Sequence, residues 1–582
     1  MSSAMAGKPF GMLKLQAARH QSAGIPNPGA EFARTSMLAP DCISRCILKS
    51  ETRTIWQGLH MIGSSRGAGF SRRGILAAGA GFGAAASLGW PHGAALAAPA
   101  TLRAAITGYG VINTLDPAKA ALIPEFYVIW ALYNGLLKLD AQMRPVPDLA
   151  ESFKVGEDGA LEFRLRQGVR FHDGSTLTAD DVKFTLERLM DESTQSPNRS
   201  KVSAIDSIEL PDPLTVRLRT KAPFAPLLTF LSNARTGTQI LSRAAFSANP
   251  EGFGRKPVGT GAYMLRDWQP NQALKLTAFA GSFDGREGRI PEVEIPLIAE
   301  ETSGVTALLG KQVDLTSTAP FADIPNLEKR PEVKVLKQPG LNTRFLTLNN
   351  RKPPFDDVHF RRAVSLAINR DVLVRIVLFG EGVATPGLIP PSLTASYDPA
   401  PKPLSSFNAQ RAKEELAKSK YGPGTKGTIL TWGSGWWKRI GEVVAAQVNQ
   451  VLGTQLTVEV NEANTVFSRI RSGDYQAGTW GWLGMIDPDE YSYDLLHSEG
   501  WRNFAGYSNP KLDELLVKAR RELDPARRGA LYRESENLWI EDMPVVPLFC
   551  SNVHNLLAAN VSGFTQLPYS NYGDQFGSVT LG

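Results

Sequence analysis

Pro147 to Met190 reads PDLAESFKVGEDGALEFRLRQGVRFHDGSTLTADDVKFTLERLM. Within it, Leu161-Glu162-Phe163-Arg164-Leu165 alternates apolar and polar side chains, the period-two pattern of a half-buried strand. Phe171-His172-Asp173-Gly174-Ser175 reads as a strand-to-turn corner, with Asp and Gly supplied because the turn needs them. Thr178-Ala179-Asp180-Asp181 then opens a helix from Val182 to Met190, Thr178 as N-cap and Asp181 at N3. Strand, corner and capped helix in immediate succession predict a mixed α and β fold.

The same signals recur along the rest of the chain. Thr215-Val216-Arg217-Leu218 alternates in the same way, and Val545-Val546-Pro547-Leu548-Phe549 is a second kind of strand, continuously apolar. Asp524-Pro525 opens a helix from Ala526 to Ile540, with Asp as cap and Pro at N1, where its missing N–H costs nothing. Asp357 fronts a segment that places Ala363, Val364, Ala367 and Ile368 on one face, and Leu512, Leu515, Leu516 and Ala519 form another such stripe. No internal repeat and no long linker interrupts the chain after Thr101. At roughly 100–200 residues per domain, the chain of 582 residues allows three or four domains. With 43% hydrophobic and 21% charged residues it is too mixed to be disordered or collagen-like.

The formal charge of +6 is unevenly placed. Of 63 Lys and Arg, ten lie in residues 1–100, against three of the 57 acids. The remainder therefore carries 53 basic and 54 acidic residues, close to neutral. A phosphate-tracking surface needs clustered Lys and Arg, so nucleic acid is excluded as a partner on charge grounds. Cys42 and Cys46 fall in the leader and only Cys550 lies beyond it, so the main body has no internal disulfide.

Residues 61–100 have the three parts of an export signal: charge, a short apolar run and an A-x-A end. Arg72 and Arg73 follow Ser71, the uncharged run extends from Ala77 to Leu88, and small residues close it at Ala98-Pro99-Ala100. The pair Arg72-Arg73 resembles the twin-arginine class, which carries folded proteins, with Ile75 where that class often has Phe. The run is too short and too rich in Gly and Ala to span a bilayer, and no Cys follows it to accept a lipid. Residues 1–60 read as a non-native or disordered extension, with Met61 as the expected start. Two enzyme-like matches here, Gly63-Ser64-Ser65-Arg66-Gly67 and Gly79-x-Gly81-x-x-Ala84, follow no predicted strand and are discounted.

Pro147–Met190, Val258-Gly259-Thr260-Gly261-Ala262-Tyr263, LNNRKPPFDDVHFRRAVSLAINRD (348–371) and YSNPKLDELLVKA (507–519) together resemble the solute-binding proteins of the peptide/nickel group of ABC transporters, in the family order. The resemblance implies an α/β, bilobed periplasmic-binding-protein fold of the large three-domain class with a hinge between lobes. It assigns 101–136, 256–345 and 546–582 to a first lobe, 137–255 to an accessory domain and 346–545 to a second lobe. Two crossings, near 340–347 and 544–550, would form the hinge. It also implies the activity: periplasmic capture of a peptide or peptide-like solute in the interlobe cleft by a monomer without cofactor, then delivery to an ABC permease and its ATPase subunits.

Six of the eleven Trp lie between 432 and 501: Trp432, Trp436, Trp437, Trp480, Trp482 and Trp501. As a group they favour an aromatic-lined cleft, because buried ligand sites combine apolar walls with few polar groups. Trp480-Gly481-Trp482-Leu483-Gly484-Met485-Ile486-Asp487-Pro488 resembles the family segment in which an Asp takes the ligand's α-ammonium. Here that position falls on Gly484 or Met485, and no acid occurs between Trp480 and Ile486. A buried ammonium needs such an anion, so the departure points to a modified, blocked or non-peptide solute: an opine, a glutathione-type conjugate or a metal chelate. By resemblance Arg344 and Phe345 face the cleft from the crossover strand, Arg344 either forking onto a ligand anion or serving an external salt bridge. Asn464 matches a cleft-facing Trp of some relatives, and Ile123 to Phe126 match a segment touching peptide backbone. Lys438 and Arg439 follow the Trp pair in an expected loop.

Catalysis has little support in the residues. His172, His359, His497 and His554 show no metal-ligand spacing, so no metal site is expected. Asp487-Pro488-Asp489-Glu490 offers three carboxylates, but Asp-Pro reads as a turn or helix start. Cys550 follows an apolar strand and reads as a buried, inert thiol. An exported hydrolase on the same scaffold is one rival reading; a chaperone or sensor partner is another.

Overall fold

Two long strands, Val333–Leu348 and Val545–Ala558, run antiparallel side by side and organise everything else. The computed structural model describes residues 100–156, 158–285, 289–433, 435–482 and 486–582. The leader, with Arg72 and Arg73, and Gly484 lie outside the described residues. Around the two long strands an eleven-stranded sheet extends in both directions. On one side come Leu315–Thr316, Thr101–Thr107, Glu292–Ile298, Ala273–Ala278 and Tyr263–Gln269. On the other come Ala477–Gly481, Lys426–Trp432 and Gln455–Asn461. Gly382–Ala384 pairs with Val545–Ala558 off this path. Thr101–Thr107 is parallel to both of its neighbours, and so is Lys426–Trp432. Each half is thus an α/β unit, and the pair of long strands joins them: a bilobed fold with a two-strand hinge. A single apolar core runs through both halves, from Leu102 and Phe126 to Phe345, Ile429 and Trp539.

A four-stranded antiparallel sheet stands apart, in the order Ala150–Val155, Leu161–Leu165, Thr215–Thr220, Ile205–Asp212. It has its own core, where Phe163, Leu165, Val216 and Leu218 meet Val182, Leu186 and Leu189 of the helix Ala179–Met190. Burying each such side chain contributes roughly 1.5–3 kcal/mol, which is why the period-two and helical stripes converge there. The helix is capped as its sequence predicts: the Asp181 carboxylate accepts the Thr178 N–H at 2.9 Å. Asp357 and Asp524 likewise cap the helices Val358–Ala367 and Pro525–Asp542, accepting the N–H of Phe360 and of Arg527. Leu512, Leu516 and Ala519 are the buried face of Pro510–Arg521.

The corner Phe171–Ser175 is the expected turn, with Gly174 at φ +85° and Asp173 accepting the Ser175 N–H at 2.9 Å. His172 ties this corner to the Gly259–Gly261 segment. Gly259 N–H donates to Nδ1 at 3.4 Å, and Nε2 donates to Gly261 O at 3.1 Å. Burial lowers the His172 pKa to about 4, so the ring is neutral and structural. The two glycines of that segment press on the end of the helix Ile123–Leu132: an added Cβ would stand 2.1 Å from Leu132 O at Gly259 and 2.4 Å from Ala131 O at Gly261. One expectation fails. Lys438 and Arg439 lie inside the helix Gly435–Leu452, not in a loop.

Candidate functional site

In open α/β sheets, ligands collect at the carboxyl ends of the parallel strands. In the first half that edge carries Gly108 and Tyr109, which follow Thr101–Thr107, and the helix Ile123–Leu132. The intervening loop is fixed by Glu125, which is 1% exposed and accepts N–H bonds from Ala121 and Leu122 at 2.8 Å and from Asn113 at 3.2 Å. In the second half the same edge carries Trp432, then Trp436 and Trp437 at the start of Gly435–Leu452, and Trp482 after Ala477–Gly481.

These indoles form one contiguous wall. Trp432 meets Trp437 at 4.3 Å and Trp480 edge-on at 5.7 Å, Trp436 stacks on Trp437 at 4.9 Å, and Trp480 meets Trp482 at 6.4 Å. Phe345 reaches Trp482 at 6.1 Å and Phe467 reaches Trp480 at 5.0 Å. The indole N–H groups of Trp432, Trp480 and Trp482 are buried and find no hydrogen-bond partner among the described residues. Such unmet donors cost free energy unless a bound group or water accepts from them. Trp501 stands outside the wall, 61% exposed.

Arg344 braces the wall from behind. It is 2% exposed, donates from Nη1 to Trp482 O at 2.7 Å, and lies over Trp436 and Trp437 with Cζ 4.7 and 4.9 Å from the ring centres. The strand bulges between Arg344 and Phe345, which lets both consecutive side chains be buried. Among the described residues Arg344 has no acidic partner, and burial lowers its pKa to about 10. The external salt bridge weighed for it does not occur among them, and one of its forks is committed to backbone.

The other expected positions divide. Arg344, Phe345, Trp432, Trp480 and Trp482 come together. Phe126 is fully buried in the first half, while Ile123 is half-exposed at the helix start. Asn464 is exposed on the first turn of Ala463–Ser472, one turn from Phe467.

The carboxylates of Asp487-Pro488-Asp489-Glu490 are all matched. Asp487 caps Pro488–Leu496 and takes a two-point bond from Arg528 at 2.6 and 3.0 Å. Burial pushes the Asp487 carboxyl up, but the Arg528 guanidinium outweighs it and holds the group below the usual range. Asp489 receives Arg520 at 3.1 Å, and Glu490 pairs with Lys201. Here burial prevails at Asp489 and raises its pKa in spite of Arg520. The same groups also bond the 137–255 region: Thr229 Oγ1 donates to Asp487 at 3.0 Å, and Ala225 N–H donates to Arg520 O at 3.0 Å. Phe321 of the first half meets Trp436 of the second edge-on at 6.3 Å.

Nucleophilic chemistry finds no assembled pair among the described residues. Cys550 Sγ is directed at Gly340 O at 3.1 Å, and burial raises its pKa to about 12. His554 bonds Glu381 at 3.1 Å, and no histidine hydrogen bond goes to a hydroxyl or thiol. No cluster of three or more His, Cys, Asp or Glu that could hold a metal occurs among the described residues. Nor is any described helix long and apolar enough to cross a membrane.

Two α/β halves on a two-strand hinge, with an aromatic wall at the facing strand ends, define a bilobed solute-binding protein. The model of bacterial extracellular solute-binding proteins, family 5 Middle, matches residues 144–503, and the chain belongs to that family. It is 27% identical over 472 residues to the glutathione-binding protein GsiB of Escherichia coli (strain K12), covering 78% of this chain and 90% of that one. Among solved structures it resembles HbpA2 from Haemophilus parasuis, with a TM-score of 0.75 and 26% identity over 83% of this chain and 100% of that one. It also resembles the periplasmic binding protein DppA from Helicobacter pylori in complex with peptide STSA, with a TM-score of 0.69 and 25% identity over 83% and 98%.

Proposed function

We propose that the chain captures a peptide-like solute between its lobes and delivers it to an ABC permease and its ATPase subunits. The observation that carries this reading is the tryptophan wall at the facing strand ends, whose unmatched indole donors make a bound solute favourable. The two-strand hinge supplies the motion. A solute that prefers the closed state by a few kcal/mol shifts the lobe equilibrium by a comparable amount, and no covalent step is needed.

The lobe limits given above fit the separate core of the 150–220 sheet and the split of the large sheet at its long strands. Ile123, Phe126, Arg344, Phe345, Trp432, Asn464, Trp480, Trp482 and Gly484 are the proposed solute-binding positions. Of these, Arg344 and Phe345 act by supporting the wall. Export by the Arg72-Arg73 signal, a periplasmic location without lipid anchor, action as a monomer and the absence of catalysis complete the reading.

Among solutes, a glutathione-type conjugate is favoured. The relative GsiB is named for binding glutathione, whose α-ammonium, unlike that of an ordinary peptide, has its own α-carboxylate beside it, and the segment from Trp480 to Ile486 lacks the acid that an ordinary free-amino peptide requires. Native mass spectrometry of the protein purified from its native host tests this. A single small solute released at one equivalent is expected. A mixture of ordinary peptides with free N-termini would overturn the solute assignment, and turnover of the solute would overturn the non-enzymatic reading.

A further inference from the structure

The 137–255 region, with a sheet and a core of its own, meets the two halves of the fold very unequally. Toward the first half it has a long polar seam. Arg188 makes a two-point bond to Asp116 at 2.9 and 2.5 Å, and both side chains are buried. Asn198 Nδ2 donates to Ala120 O at 2.8 Å, and Asn233 Nδ2 donates to Tyr133 O at 3.1 Å. His172 adds its bonds to Gly259 and Gly261. Both ends of the region also continue into that half, toward Ile123–Leu132 on one side and Tyr263–Gln269 on the other.

Toward the second half, the bonds among the described residues gather at one place, the start of Pro488–Leu496 and the end of Pro510–Arg521. The Lys201 ammonium pairs with Glu490, Thr229 Oγ1 donates to Asp487 at 3.0 Å, and Ala225 N–H donates to Arg520 O at 3.0 Å. Lys201 is aimed by Phe230, whose ring centre lies 4.3 Å from the ammonium. Its target is buried: the Glu490 side chain is 5% exposed, and Oε2 already accepts the N–H groups of Ile486 and Asp487 at 3.0 and 3.2 Å. Those two residues end the segment that leaves the tryptophan wall at Trp482. Rotation about the two long strands keeps the seam to Asp116, Ala120 and Tyr133, whereas the small patch on Asp487, Glu490 and Arg520 must part.

We propose that the 137–255 region is a latch for lobe closure: Lys201 and Thr229 engage Glu490 and Asp487 as the halves come together and release them as they part. This rests on the solute-capture reading. Both are positioning residues, because they act on the solute through the segment that Glu490 and Asp487 anchor. Closing takes ammonium and carboxylate out of water together, each with a second partner in place, the Phe230 ring for one and two backbone N–H groups for the other. Pairing then offsets desolvation. Opening returns both ions to water, so the pair favours the closed form only by the difference between the two states. One ion pair and two hydrogen bonds thus lengthen solute residence without locking the lobes, and a region that supplies none of the tryptophan wall gains a part in affinity.

The test uses Lys201→Met, Thr229→Val and the double variant Lys201→Met with Glu490→Gln, whose glutamine keeps an oxygen for Ile486 and Asp487. The probe is the solute pool released from the wild-type protein, rebound to each variant after stripping. Lys201→Met should weaken rebinding about tenfold and Thr229→Val about threefold, chiefly through faster release, and the double variant should recover part of the loss. Stripped variants should melt with stripped wild type, because the latch is undone there, while the loaded variants melt lower than loaded wild type. An equal drop in melting temperature with and without solute would make the contact a fixed seam and overturn the latch while solute capture stands. So would unchanged release rates in both Lys201→Met and Thr229→Val. Release of no solute by wild type and no rebinding would overturn solute capture itself, and the latch with it.

Discussion

Arg344 lies across Gly481: the two residues pair in adjacent antiparallel strands, and a methyl group on Gly481 would stand 2.5 Å from Arg344 Cδ and 2.7 Å from Thr343 O. The glycine is what lets a guanidinium pass over the strand to reach Trp482 O, Trp436 and Trp437. The aromatic wall therefore depends on a residue that contributes no side chain to it.

Gly481→Ala should displace Arg344 and destabilise the protein by about 1–3 kcal/mol, the range for overpacking a tight interior. Because part of the clash is with Arg344 itself, adding Arg344→Met should recover some of that loss. Urea unfolding of both single variants and the double checks the coupling. Strict additivity would show that the two side chains do not share the space.

The buried pair of Asp487 and Arg528 should behave asymmetrically. Arg528→Met alone leaves a buried carboxylate unmatched and should cost about 3–5 kcal/mol, whereas Asp487→Asn with Arg528→Met should cost much less. Thermal or urea denaturation measures both. An equal cost for single and double variants would contradict the pairing.

Glu536 is buried and accepts N–H bonds from Leu388 at 2.9 Å and Ile389 at 3.1 Å. Burial outweighs those bonds and raises its pKa from 4.5 to about 7. A carboxyl raised on folding is favourable while protonated, so its contribution is fully present below about pH 4.5 and lost as pH rises through 7. The loss is on the order of 3 kcal/mol at most. Glu536→Gln keeps the accepting oxygen and should flatten stability across that window, which melting temperatures at pH 5 and pH 8 will show. An unchanged slope would place the titration elsewhere.

Phe321 of the first half meets Trp436 of the second edge-on at 6.3 Å, and closure of the lobes is expected to depend on this contact. Phe321→Ala should weaken solute rebinding about tenfold while leaving the melting temperature of the stripped protein within a few degrees. Titration followed by indole fluorescence gives the first number and calorimetry the second. Unchanged affinity would remove Phe321 from the closing contact.

Local features were legible in the sequence because they rest on near neighbours. Thr178 with Asp181, Asp357, and Asp524 with Pro525 mark helix starts through bonds three residues long, and each helix begins there. The clustering of tryptophans between 432 and 501 marked the aromatic wall for the same reason. Lys438 and Arg439 lie in the helix Gly435–Leu452 rather than in the expected loop, because the Trp pair before them already belongs to that helix. Long-range pairs left no local trace: Arg528 is 41 residues from Asp487, and Lys201 is 289 from Glu490.

The account stands on capture by closure of two lobes over a solute, and small-angle X-ray scattering tests that most directly. Protein stripped of solute by partial denaturation and refolding should show a larger radius of gyration, which falls when the released solute is added back at one equivalent. One-to-one binding with an unchanged radius of gyration would contradict closure and leave a rigid site in its place.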